Sequence, residues 1–252
     1  MVDFGYHNMD CMEGMKEIPD KFFDLAIVDP PYGDGGGNGQ GVNASENDLT
    51  VTATIPRGGG TENRNTTSVH HQRKNCRKPD GTWGYANWRN VGGEICKKII
   101  AWDVAPDKSY FDELFRVSRN QIIWGGNYFS LPPTRCFLIW KKLTISQDFS
   151  MAMAEYAWTS FNDNAKVYEC APQGRSGERF HPTQKPVSLY EWILNRYAKP
   201  GDKILDTHVG SASSLIACEN MGFSYVGFEI DKEYYDKGVE RLEKNRLQIK
   251  LF

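Results

Sequence analysis

Several features that would settle a reading quickly are missing from this chain. Its six cysteines, Cys11, Cys76, Cys96, Cys136, Cys170 and Cys218, form no Cys-x-x-Cys pair. That argues against a disulfide frame and a ribbon-type zinc site, and leaves reduced thiols of a cytoplasmic protein as the expectation. His70, His71 and Cys76 are spaced too irregularly for a metal site, so no metal is expected. The opening Met-Val-Asp-Phe-Gly-Tyr-His-Asn has neither a basic nor an apolar segment, and no secretory leader is expected. No apolar run approaches membrane-spanning length, so no membrane partner is expected. Basic charge is not in excess either. A net charge of −2 excludes a uniformly basic coat, although a local basic face is compatible with it. The glycine-rich run from Gly33 to Gly41 is not followed by Gly-Lys-Ser/Thr, which rules against a nucleotide P-loop. No helical pattern opens after it, which counts against a dinucleotide fingerprint.

What is present is an alternation of short apolar runs and amphipathic stretches. A chain of 252 residues, 40% hydrophobic and 25% charged, has room for one large α/β domain or two small ones. Spacing predicts a helix from Met12 to Ile18, a strand at Leu25 to Val28, and a helix from Pro106 to Ser118. Strands are expected at Gln121 to Trp124, Cys136 to Trp140 (ended by Lys141 and Lys142) and Ala154 to Phe161. Lys98 to Trp102 is a further short apolar run. Residues 162 to 180 read as a polar loop. A helix runs on to about Tyr197, a strand covers Lys203 to Asp206, and a helix follows through Met221. A strand at Phe223 to Phe228 leads to a last helix ending near Leu247. This order implies a doubly wound sheet.

Between Gly33 and about residue 97 the composition is Gly, Asn, Thr and Arg with few aliphatics, as in a flexible insertion. Arg57, Arg64, Arg73, Lys74, Arg77 and Lys78 make it basic, and Trp83, Tyr85 and Trp88 add aromatics. Such interleaving suits phosphate contact and base stacking, and equally a solvated loop whose rings pack back on the domain.

Candidate chemistry gathers at strand ends. The run Asp24-Leu-Ala-Ile-Val-Asp-Pro-Pro-Tyr32 is a buried strand stopped by Asp29, because Pro30 and Pro31 donate no ladder hydrogen bond. The Asp29 carboxylate and the Pro30 carbonyl are then two stiffly held acceptors at the edge where open α/β sheets bind ligands. Two adjacent acceptors suit a planar NH2 group, and Tyr32 offers a face for a flat base. His181-Pro-Thr-Gln-Lys-Pro186 places Thr183 and Lys185 before a helix N-terminus, a setting suited to a carboxylate. Asp206 ends a strand before a turn containing His208, Gly210 and Ser211, where Gly210 permits close backbone approach. Glu229 ends the next strand, placed for ribose hydroxyls, with Ile230 beside it and Asp231 as a helix N-cap. Asp10, before Cys11 and Met12, also reads as a plain N-cap.

Together these motifs resemble the amino-methylating DNA methyltransferases, which methylate adenine N6 or cytosine N4. The resemblance covers residues 1 to 32 and about 98 to 247, and the motif order looks like their beta group. Thr207-His208 departs from the usual Pro-Phe, and Ala212 from a second glycine. The resemblance implies a Rossmann-like α/β fold: a seven-stranded, mostly parallel, doubly wound sheet in a single domain with the 33 to 97 insertion. It implies S-adenosylmethionine as methyl donor, held by Asp10, Cys11, Met12, His181, Thr183, Lys185, Asp206, His208, Gly210, Ser211, Glu229 and Ile230. It makes Asp29, Pro30, Pro31 and Tyr32 the catalytic group and double-stranded DNA the partner, with a homodimer frequent among beta-group relatives. Asp at position 29 favours adenine over cytosine, where Ser is common. The alternatives are cytosine N4 methylation, a DNA-binding module that holds donor without turnover, and methylation of a protein amide.

Overall fold

The computed structural model describes residues 3–33, 76–77, 83–84, 104–145, 152–172, 180–181 and 183–249. Contacts divide the chain into one unit of Met1–Tyr32 with Ala105–Phe252 and a second of Gly33–Val104. In the second, the described residues are Cys76–Arg77 (β3) and Trp83–Gly84 (β4), which pair antiparallel with Cys76 opposite Gly84. Most of the expected insertion, the basic run and the Lys98 to Trp102 stretch lie outside the described residues.

The first unit holds one sheet. Its strands are β1 (Gly5–Asn8), β2 (Phe23–Val28), β5 (Ser118–Trp124), β6 (Phe137–Lys142), β7 (Ala154–Thr159), β8 (Lys166–Cys170), β9 (Lys203–Asp206) and β10 (Ser224–Glu229). Their order is β1-β10-β9-β2-β5-β7-β6-β8. Every pairing is parallel except those of β7 with β5 and β6. Among the described residues the sheet has eight strands where seven were expected. The extra one is β8, inside a stretch read as loop. Lys-Val-Tyr-Glu-Cys alternates half-buried and exposed positions, with Val167 on the exposed side, and among the described residues pairs only with β6, so it carries the muted pattern of an edge strand.

Helices cover both faces. Helices α1 (Cys11–Lys16) and α2 (Lys108–Val117) pack Met15, Tyr110, Leu114 and Val117 against Ala26, Val28 and Ile123. Helices α3 (Val187–Tyr197), α4 (Ser213–Met221) and α5 (Lys232–Ile249) bring Leu189, Ile193, Leu215 and Leu242 to Leu25, Ile27, Ile122 and Trp124. Alternate residues of β2 thus serve opposite cores, as a strand buried on both faces requires. Among the described residues no helix is long and apolar enough to cross a membrane.

This topology sets the position of the site. From β9 the chain runs outward through α4 to β10, whereas from β2 it runs the other way to β5. Strands β9 and β2 are neighbours, so the order reverses between them. Ligands of open parallel sheets bind outside the carboxyl ends at such a switch point. Asn8, Glu229 and Asp206, the last residues of β1, β10 and β9, and Asp29, just past β2, all stand at that edge.

Candidate active site

Asp29 follows Val28 directly. One of its oxygens accepts a hydrogen bond from the Tyr32 hydroxyl at 2.7 Å, and the other accepts from the Lys185 ammonium. Burial, with Asp29 alongside, pushes the Tyr32 phenol far above its usual range, so it stays a donor. Pro30 is buried and Pro31 half-buried. The Tyr32 ring does not stand free as a stacking face. It lies nearly parallel to Tyr128, 4.8 Å between centroids and 11° apart. A Cβ on Gly125 would come within 2.1 Å of it, so only glycine fits, and Gly125 also adopts φ +68°.

Lys185 is placed differently from the expectation. Its side chain is 2% exposed and contacts Asp29 and, at 3.1 Å, Glu155. Burial alone would lower its pKa, but those two carboxylates hold it above the usual lysine value. An ammonium committed to two carboxylates is a poor ligand for a third. Its sequence neighbours do turn toward the glycine loop. His181 packs its ring over Gly210, where an added Cβ would lie 3.2 Å away, and shares a 3.2 Å hydrogen bond with exposed Thr183.

The other half of the site is built on β9, β10 and the turn after Asp10. Asp206 is 3% exposed and accepts from the His208 N–H at 3.0 Å and from the Ser214 hydroxyl. Burial raises its pKa to about 7 against those two hydrogen bonds, with Asp29 and Glu229 adding to the rise. Glu229 accepts from the N–H of Gly210 at 2.8 Å and of Asp231 at 2.9 Å, which ties the glycine loop to the end of β10. Burial lifts its pKa as well. Among the described residues no cation pairs with Asp206 or Glu229. Two buried carboxylates without a counter-ion form a cradle suited to a cationic ligand.

Asp10 caps α1 by accepting from the Met12 N–H at 2.7 Å, so the plain capping reading holds geometrically. Its charge still reaches the site, acting on Cys11 and His208. Burial and Asp10 push the Cys11 thiol up to about 12, so it is inert. Burial pushes His208 down to about 4, leaving a neutral imidazole. The unusual Thr207-His208 pair forms a polar chain, with the Tyr110 hydroxyl 2.6 Å from Thr207 Oγ1, which lies 2.9 Å from His208 Nδ1. Ser211 turns inward to Ser213, and its carbonyl accepts from Arg241 at 2.7 Å. Ala212 keeps the left-handed φ of +61° that a glycine would take freely. Ile230, 67% exposed, is an apolar surface just past Glu229.

Sequence reasoning passed over Tyr110, Gly125, Tyr128, Lys142 and Glu155. For Lys142 a signal existed: Leu138, Trp140 and Lys142 share the buried face of β6 at period two. Among the described residues no cluster of His, Cys, Asp and Glu could hold a metal.

A model of the family described as DNA methylase matches residues 60–240 of this chain. The Type II methyltransferase M2.MboI of Moraxella bovis is 24% identical over 264 residues, covering 95% of this chain and 87% of that protein. The Type II methyltransferase M.HpaI of Haemophilus parainfluenzae is 41% identical over 63 residues, 25% of this chain and 20% of that protein. The crystal structure of an M1.HpyAVI–SAM complex aligns over 95% of this chain and 100% of that one, with TM-score 0.49 and 15% identity.

Proposed function

The chain belongs to the DNA methylase family of N6 and N4 amino-methyltransferases, and we propose that it methylates the N6 amino group of adenine in double-stranded DNA. The observation that carries this reading is Asp29. Its carboxylate stands at the switch-point end of β2, oriented by Tyr32 and Lys185, with its charge already matched inside the protein. Such a group suits a neutral NH2 donor. An exocyclic amine is a weak nucleophile because its lone pair is delocalised into the ring. Accepting its N–H at Asp29 favours the tetrahedral nitrogen that attacks, a stabilisation that grows as positive charge develops there.

S-adenosylmethionine, the donor of this family, supplies an electrophilic sulfonium methyl when bound. The residues fit it: Asp206 and Glu229 are buried carboxylates with no cation beside them among the described residues, and the donor carries an ammonium and ribose hydroxyls. Asp206 would hold the ammonium and Glu229 the ribose, with Gly210 and His181 bounding the turn and Ile230 covering the adenine. The resemblance adds Asp10, Cys11, Met12, Thr183, His208 and Ser211 to the residues that would hold the donor. A base inside a duplex cannot reach Asp29, so it must be flipped out. With Tyr32 stacked on Tyr128, the flipped ring meets this aromatic pair rather than Tyr32 alone.

Asp at position 29 favours adenine over cytosine N4. Methylation-sensitive long-read sequencing of DNA from cells expressing the protein gives base, position and recognition site together. N4-methylcytosine as the sole product would replace adenine by cytosine. Absence of any new mark, with donor bound, would support a non-catalytic DNA-binding module.

A further inference from the structure

Lys185 belongs to a row of four charges along the carboxyl edge of the sheet, two buried ammonium groups alternating with two half-buried carboxylates. Asp29 contacts Lys185, Lys185 contacts Glu155 at 3.1 Å, and the other Glu155 oxygen contacts Lys142 at 2.5 Å. The lysine side chains are 2% and 6% exposed. The charges alternate and sum to zero. Asp29 stands at the end of β2 and Glu155 on β7, with β5 between them, so their strands lie about 10 Å apart. The two carboxylates cannot touch. Lys185 spans the gap above the ring of Trp124 on β5, 5.2 Å from its centroid, while Lys142 lies 5.0 Å from that of Trp140.

We propose that Lys185 is a positioning residue for methyl transfer, tying the Asp29 carboxylate to Glu155 on the far side of β5, and is not a ligand of the donor. This rests on the reading of Asp29 as the acceptor of the substrate amine. With Lys185 on one oxygen and the Tyr32 hydroxyl on the other, the carboxylate is fixed in rotation and tilt. Each oxygen keeps a lone pair for a substrate N–H. Glu155 has a distinct part. Without it, Asp29 alone would face the two lysine charges of the row, leaving a net positive charge near an amine that turns cationic in the transition state. Lys142 in turn keeps Glu155 ionised: burial raises the Glu155 pKa, but Lys185 and Lys142 together bring it below the usual range.

The test uses the full chain, tritiated S-adenosylmethionine and unmethylated mixed-sequence DNA. Lys185→Met should lower the single-turnover rate at saturating donor and DNA by about 100-fold or more. Donor affinity by calorimetry should stay within about threefold. Because the single change leaves two carboxylates facing one ammonium, the double variant Lys185→Met/Glu155→Gln restores zero charge and serves as the folding control. It should melt nearer the wild type than the single variant and remain about 100-fold slow. A Lys185→Met enzyme whose donor affinity falls about tenfold or more, with the full rate regained at saturating donor, would make Lys185 a donor ligand and overturn the proposal. A double variant at wild-type rate would overturn it too. Asp29→Asn at wild-type rate would instead sink the reading of Asp29 itself.

Discussion

Donor binding should carry a pH dependence set by Asp206. In the free protein its pKa is raised to about 7, chiefly by burial. The ammonium it is proposed to hold favours the ionised carboxylate, so binding lowers that pKa and releases a proton. As far as this carboxyl is concerned, apparent affinity levels off above about pH 8 and falls as pH drops through 7. For a free-state value of 7, the dissociation constant rises about twofold at pH 7 and about elevenfold at pH 6, or about 1.4 kcal/mol, relative to the ionised limit. Calorimetric titration with S-adenosylmethionine from pH 6 to 8, in two buffers of different ionisation enthalpy, reads affinity and proton count together. About half a proton should leave per donor bound at pH 7. Asp206→Asn should weaken binding by roughly 1–3 kcal/mol for a lost charged hydrogen bond. It should also abolish the slope between pH 6 and 7. A wild-type affinity independent of pH in that range, or a slope surviving in Asp206→Asn, would refute the assignment of the ammonium to Asp206.

Four further outcomes are expected. Asp29→Ala should abolish methylation and leave calorimetric donor affinity largely in place; wild-type turnover would end its catalytic role. Glu229→Ala frees the N–H groups of Gly210 and Asp231, and should weaken donor binding by roughly 1–3 kcal/mol, measured by the same titration. Gly125→Ala forces a Cβ to within 2.1 Å of Tyr32 at φ +68°. It should cost about 2–5 kcal/mol in denaturant unfolding and slow methylation by displacing that ring. The last concerns stability without donor. The folded-state pKa of Asp206 lies above its unfolded value, so its burial costs nothing below about pH 4 and costs progressively more up to pH 7. Asp206→Asn should therefore unfold at higher denaturant than wild type at pH 8, by at most about 4 kcal/mol, with the gain shrinking to at most about 1.7 kcal/mol at pH 5 and becoming small below pH 4.

Much of the fold was legible because its strands are buried on both faces. Phe23–Val28, Lys203–Asp206 and Ser224–Glu229 are short, largely apolar runs that end in polar punctuation. Those ends gave Asp29, Asp206 and Glu229 directly, since a carboxylate closing a buried parallel strand lies at the ligand edge wherever the strand sits. Edge strand β8 was not legible, because Val167 and Glu169 face solvent alike, so its exposure has a two-residue period that its polar and apolar residues do not follow. Pairings across the sheet were not legible either. Lys185 meets Asp29 across 156 residues of sequence, and nothing local to a Thr-Gln-Lys-Pro stretch says which carboxylate it reaches. The resemblance pointed Lys185 toward the donor because it precedes a helix. The sheet order brings it to β2 and β7 instead. Lys141-Lys142 read as the end of a strand through charge alone, although the two-residue period already assigned Lys142 to the inner face.

The two carboxylates at the switch point stand on neighbouring strands and are treated oppositely. Asp29 has a cation built in, which is itself balanced through Glu155 and Lys142. Asp206 has none among the described residues and is held by a hydroxyl and a backbone N–H. Its raised pKa records that difference, with Asp29 and Glu229 as charge neighbours that raise it further. A methyl transfer from a cationic donor to a neutral amine asks for this asymmetry. A lysine beside Asp206 would repel the donor's ammonium. An unpaired Asp29 would add a third anion to Asp206 and Glu229 and make deprotonation of the whole cluster harder. Pairing Asp29 internally leaves its oxygens as hydrogen-bond acceptors while removing most of its net field, so the substrate amine is recognised by geometry and the donor by charge. Exchange of the two environments, by a cation at position 214 beside Asp206 together with Lys185→Met, should therefore cost donor affinity and turnover separately, the first in calorimetry and the second in single-turnover rate. Loss of only one of the two would mean that the carboxylates do not divide the ligands between them.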